Sequence, residues 1–89
     1  MVGAPAPTVS TMPLGDELSI FDSATGRAFA LNRTAADVFA LADGRTTMTE
    51  IVGILSRAYD AEPADVAADV ALVVRELTEA RLLVKEATG

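Results

Sequence analysis

The sequence predicts an α+β domain in which a three-stranded antiparallel sheet is followed by three helices. Three observations predict it. Residues 8–31 carry short runs of period two separated by turn signals, residues 33–80 carry three stretches of helical period, and no linker divides them. The 89 residues allow one core, because a chain of this size buries only about 60 to 65% of the surface it exposes when unfolded.

Thr8-Val9-Ser10-Thr11-Met12 has the β-branched content of a first strand, closed by Pro13 and a turn at Leu14-Gly15-Asp16. Glu17-Leu18-Ser19-Ile20-Phe21 alternates as a second strand, with Leu18 and Ile20 on one face. Asp22-Ser23-Ala24-Thr25-Gly26 supplies a hairpin turn in which Gly26 takes the positive φ. The third strand is Arg27-Ala28-Phe29-Ala30-Leu31. Its alternation puts Phe29 and Leu31 on one face and only the small Ala28 and Ala30 on the other. Residues 1–7 mix Pro, Gly, Ala and Val without periodicity, so they are expected to form a flexible lead-in to a domain spanning 8–84. Residues 85–89 are expected to fray at the other end.

Asn32 ends the third strand as a helix N-cap, with Thr34 the alternative through its spacing to Asp37. The first helix then places Ala35, Val38, Phe39 and Ala42 on one face and stops at Asp43-Gly44, with Gly44 at the left-handed position. Thr47 and Glu50 make a capping box for a second helix, which presents Ile51, Leu55 and Tyr59 and breaks at Asp60. Pro63 suits the first turn of a third helix running to about residue 80, with Val66, Val70, Val73, Val74 and Leu77 in one stripe. Leu82-Leu83-Val84 reads as an apolar tail folded back on the core.

Composition removes several functions. A net charge of −6 repels phosphate backbones and anionic lipid, which argues against nucleic acid and membrane as partners. The chain has no Cys and no His, so thiolate catalysis, zinc-thiolate sites and the commonest acid-base and metal-ligating group are all absent. No cofactor or metal is expected, and no enzymatic activity. No run approaches the roughly 18 apolar residues of a membrane span, and the N-terminus lacks a signal-peptide pattern, so the expected location is cytoplasmic.

Four local features invite chemistry. Asp22-Ser23-Ala24 superficially matches the serine site of a phosphopantetheine carrier, but that site opens a helix, whereas this serine leads into Thr25-Gly26 and a strand. Asp65 and Asp69 stand four apart on a helix, yet two carboxylates without an oxygen-rich loop make a poor cation site. Three helices with a small sheet also describe a winged helix, which makes a DNA-binding protein the alternative reading. The last helix carries Asp65, Asp69, Glu76 and Glu79 against few cations, which disfavours it. The fourth feature is the strand Arg27 to Leu31, which has no Pro and one charge at its start and therefore makes an edge receptive to an extended peptide.

The run Leu31-Asn32-Arg33-Thr34-Ala35-Ala36, then Asp43-Gly44-Arg45-Thr46, Glu50-Ile51-Val52, Ala68-Asp69-Val70, and Glu76-Leu77 with Leu82-Leu83 resembles the PqqD family over residues 18–84. These are small proteins of pyrroloquinoline quinone biosynthesis and their relatives, known as recognition elements for ribosomally made, post-translationally modified peptides. The resemblance implies a winged-helix-like fold that binds a precursor's leader peptide antiparallel to the third strand, in the groove between that strand and the third helix. It implies a peptide-binding set of Arg27, Ala28, Phe29, Ala30 and Leu31 from the strand and Asp69, Val70, Leu72, Val73 and Glu76 from the helix. It also implies a partner modifying enzyme, such as a radical S-adenosylmethionine enzyme, a cyclase or a leader peptidase. The family often has glycine where Arg81 stands and a larger or aromatic residue near Val73, so the helix end and the groove width are expected to differ here.

Overall fold

The computed structural model describes residues 2–84. In chain order the elements are β1 (Ala4–Pro5), β2 (Val9–Leu14), β3 (Glu17–Asp22), β4 (Arg27–Leu31), α1 (Arg33–Leu41), α2 (Met48–Tyr59), α3 (Pro63–Glu79) and β5 (Leu83–Val84). β2, β3 and β4 form an antiparallel meander with β3 central, as expected. A second, two-stranded sheet pairs β1 with β5 and joins the two ends of the described chain.

The core lies between the inner face of the meander and the three helices. Ile20, Leu31, Val38, Ile51, Val70, Leu77 and Leu82 are all buried in it. Each helix starts where a local signal tells it to. The Asn32 side chain accepts from the Ala35 amide at 2.9 Å, so Asn32 and not Thr34 is the cap of α1. Thr47 and Glu50 close a reciprocal capping box on α2, and Pro63 occupies the first turn of α3. Gly26 and Gly44 both have positive φ. The C-cap of α1, however, is Ala42 in extended conformation, so the helix ends before Gly44 is reached.

The end of α3 explains the position of Arg81. Its amide donates to the Thr78 carbonyl and the Leu82 amide to the Leu77 carbonyl at 2.9 Å, the two bonds of a Schellman motif, with Arg81 left-handed at φ 62°. A Cβ in that region costs about 1 to 2 kcal/mol per residue, and glycine avoids it while losing part of the gain to its freer unfolded chain. Arg81→Gly is therefore expected to raise stability by up to about 1 kcal/mol, read as a shift in the urea midpoint at unchanged slope.

The expectation of a flexible lead-in over residues 1–7 is corrected from Val2 onward. Val2 is buried and donates its amide to the Thr46 carbonyl at 3.2 Å, while Ala6 is buried and donates to the Leu82 carbonyl at 3.0 Å. The segment folds because Leu82 and Leu83 need a cover, and the N-terminal strand supplies both apolar side chains and hydrogen bonds. The fraying expected at 85–89 lies outside the described residues.

Asp22 ends β3 as a buried carboxylate, 4% exposed. It accepts from the Thr8 hydroxyl at 2.8 Å and the Ala24 amide at 3.0 Å. The Thr8 bond first and the Ala24 bond second hold its pKa below the ordinary carboxylate value. A pKa lower in the folded than the unfolded state gives stability that is present at neutral pH and is lost as pH falls through the folded value. Asp22→Asn keeps an acceptor for Thr8 without a charge to titrate. Its melting temperature is expected to fall less steeply than the wild type's below about pH 4, in thermal melts across an acid series.

Candidate functional site

The site follows from which backbone groups of the meander are already spent. Pro13 has no N–H to donate, so its pairing with Leu18 is one of the non-hydrogen-bonded pairs of β2 and β3. Alternation then turns the backbone groups of Leu18, Ile20 and Asp22 toward β4 and those of Glu17, Ser19 and Phe21 toward β2. The Ser23 amide, next in that alternation, does donate to the Thr8 carbonyl on the β2 side at 3.0 Å. Through the register Leu18 to Leu31 and Ile20 to Phe29, the groups of Leu31 and Phe29 point at β3, and the N–H and C=O of Ala28 and Ala30 point out of the sheet. No strand of the described residues pairs with that edge.

The two edges of the sheet are unequal. On β2 the outward positions are Val9, Thr11 and Pro13. The Val9 amide already donates to Ala6 at 3.2 Å and Pro13 has no donor, which leaves Thr11. On β4 both outward donors are open. The blunted edge and the receptive edge thus belong to the same three-stranded sheet.

Beside the end of β4 runs a groove floored by α1 and walled by α3. A cavity of about 170 Å³ is lined by Ala30, Leu31 and Asn32, by Ala35 of α1, and by Val73, Glu76 and Leu77 of α3. A second hollow of about 270 Å³ continues past Asn32 and is lined by Thr34, Asp69, Leu72, Val73 and Glu76. Asn32, Val73 and Glu76 border both, so the two form one continuous trough.

The residues expected at the site divide into three groups. Ala30, Leu31, Asp69, Leu72, Val73 and Glu76 line the trough. Arg27, Ala28 and Phe29 lie farther back along β4, outside both hollows, with the Arg27 guanidinium 5.1 Å above the Phe29 ring. Val70 is the correction: it has no exposed surface and belongs to the core, because it follows Val66 by one helical turn on the inward stripe. Asn32, Thr34, Ala35 and Leu77 line the trough and were not expected there. The signal for Asn32 was its capping position, since a cap directly after a strand must stand at the strand's end. Ala35, one turn into α1, is carried there with it.

Other polar clusters are satisfied internally. The Tyr59 hydroxyl donates to Asp37, Arg33 lies 5.5 Å over the Tyr59 ring, and burial foremost, with the Asp37 bond, raises the phenol's pKa. Ser23 donates its hydroxyl to the Thr8 carbonyl at 3.0 Å, so it is committed to the turn. Among the described residues no three carboxylates gather to hold a metal ion, and no helix is long and apolar enough to cross a membrane.

Comparison with known proteins bears on this trough. Residues 17–83 match the family model described as coenzyme PQQ synthesis protein D, PqqD. A curated relative, the bifunctional coenzyme PQQ synthesis protein C/D of Methylorubrum extorquens, is 40% identical over 57 residues; the match covers 64% of this chain and 15% of that protein. In three dimensions the chain is similar to the TbiB1 protein in complex with the TbiA(beta) leader peptide, with a TM-score of 0.82 at 23% identity, covering 94% of this chain and 98% of the other. It is also similar to the PqqD truncation of Methylobacterium extorquens PqqCD, a stand-alone recognition element for ribosomally synthesised and post-translationally modified peptides. That match has a TM-score of 0.74 at 28% identity over 94% of this chain and 89% of that one.

Proposed function

Because the chain belongs to the PqqD family, we propose that it is a non-catalytic recognition element that binds the leader of a ribosomally made precursor peptide and presents it to a modifying enzyme. The observation that carries the reading is the open edge of β4, where the outward amides of Ala28 and Ala30 lead along the strand to the trough that begins at Ala30 beside α3. A peptide laid along that edge pairs its backbone with β4 whatever its sequence, while side chains turned inward meet Val73, Glu76 and Asp69. Backbone pairing supplies affinity and the trough supplies selection.

The solved complex of the similarly folded TbiB1 with a leader peptide supports leader binding as the role of this fold. The bifunctional relative, of which the matching segment is 15%, supports action beside a second activity. A radical S-adenosylmethionine enzyme, a cyclase or a leader peptidase would each fit as the recipient. Work on a newly translated precursor would fit a cytoplasmic location.

The test is amide hydrogen exchange with and without the leader encoded by a neighbouring precursor gene. Strand addition is expected to slow exchange at Ala28 and Ala30 selectively, because these are the two donors the peptide would occupy. Protection spread elsewhere with Ala28 and Ala30 unchanged would overturn the model.

A further inference from the structure

We propose that the trough selects peptides carrying a basic side chain two residues before an aliphatic one, and that Asp69 and Glu76 read the base. This rests on strand addition to β4 and adds to it the side-chain chemistry of the ligand. The cavity next to Ala30 is bordered by Asn32 and Glu76 on the side it shares with the adjoining hollow. Elsewhere it has small walls in Ala30, Ala35 and Val73 and buried apolar groups in Leu31 and Leu77, so it takes a branched aliphatic group there. The adjoining hollow presents the carboxylates of Asp69 and Glu76 beside Leu72, and neither hollow contains a cation.

Among the described residues the single ion pair joins Arg75 to Glu79, and neither trough carboxylate has a counterion among them. The apolar rim of Leu72, 49% exposed, suits the methylene stem of a Lys or Arg whose head reaches the acids. An acidic ligand would meet both carboxylates and a net charge of −6.

Spacing and order follow from the strand. Side chains on one face of an extended peptide recur every two residues, about 6.8 Å apart. The aliphatic cavity lies against Ala30 and the acidic hollow lies past Asn32, beyond the C-terminal end of β4. A strand joining an all-antiparallel sheet runs opposite to β4, so it passes the acids first and the cavity second. The basic residue therefore precedes the aliphatic one.

The experiment is selection of random twelve-residue peptides by display on the full chain, repeated on Ala30→Pro and on the double variant Asp69→Asn with Glu76→Gln, each checked for folding by circular dichroism. Peptides enriched on the wild type are expected to carry Lys or Arg two positions before Val, Ile or Leu, and to be lost on Ala30→Pro. The basic preference, but not the aliphatic one, should vanish on the double variant. A fluorescein-labelled winning peptide should bind the double variant about fivefold more weakly at low salt, with the gap closing at high salt as exposed charges are screened. Enriched peptides that depend on Ala30 yet show no basic preference, or keep it on the double variant, would overturn the assignment of Asp69 and Glu76 and leave strand addition standing. Failure to enrich any peptide sensitive to Ala30→Pro would overturn strand addition, and this inference with it.

Discussion

Proline at Ala28 or Ala30 is expected to weaken leader binding by about 5- to 150-fold, corresponding to about 1 to 3 kcal/mol for a peptide carbonyl left without its donor. The melting temperature is expected to stay close to the wild type's. The two effects separate because the outward N–H of each residue contributes nothing to pairing with β3. Proline at Phe29 is the internal control: its amide faces β3, so that substitution removes a ladder bond and a half-buried ring together and lowers stability. Fluorescence anisotropy with a labelled leader, paired with thermal melts, distinguishes the three variants. Unchanged affinity in both alanine variants, with the fold intact, would exclude β4 as the pairing edge.

Leu82→Ala is expected to be the most damaging truncation, costing about 2 to 5 kcal/mol, or roughly 10 to 30 °C in melting temperature for a domain of this size. Leu82 has no exposed surface, its amide closes the end of α3 and its carbonyl accepts from Ala6. Truncating it leaves a cavity where the helix end, β5 and the N-terminal segment meet, and none of the three can collapse into it without breaking a hydrogen bond to the others. Val84, two residues on and within β5, is 37% exposed and its truncation is expected to cost far less. Denaturant titration of the two variants side by side measures the contrast. Equal losses would mean that the burial of Leu82 does not set the cost of its truncation.

Much of this molecule is legible without coordinates because its signals act over three or four residues. Asn32, the Thr47–Glu50 box and Pro63 each satisfy or dispense with an orphan amide in their own helix turn, so position alone identifies them. Alternation likewise identified the faces of β4, with Leu31 buried and Ala28 and Ala30 exposed. The features that were not legible depend on partners distant in the chain. Ala4 and Pro5 carry no periodicity and become a strand only because Val84 and Leu83 lie opposite. Pro13 reads as a stop, yet it sits within β2, since an edge strand tolerates a missing donor on its free side. Val70 shares a helix with the trough residues, but a rotation of one turn position sends it inward while Val73 and Glu76 reach the groove.

By itself, then, the sequence determined the order of strands and helices, their caps, the acidic balance and the strand whose lack of Pro and single charge at its start point to a receptive edge. Those are properties of period, local hydrogen bonding and net charge, which a chain carries in any conformation. Only the tertiary structure decided which two amides of that strand face outward, that α1 and α3 close a trough beside them, and that Asp69 and Glu76 share it. The physical reason is that backbone phase and groove depth are set by pairing register and helix packing, and both come from residues far apart in the chain.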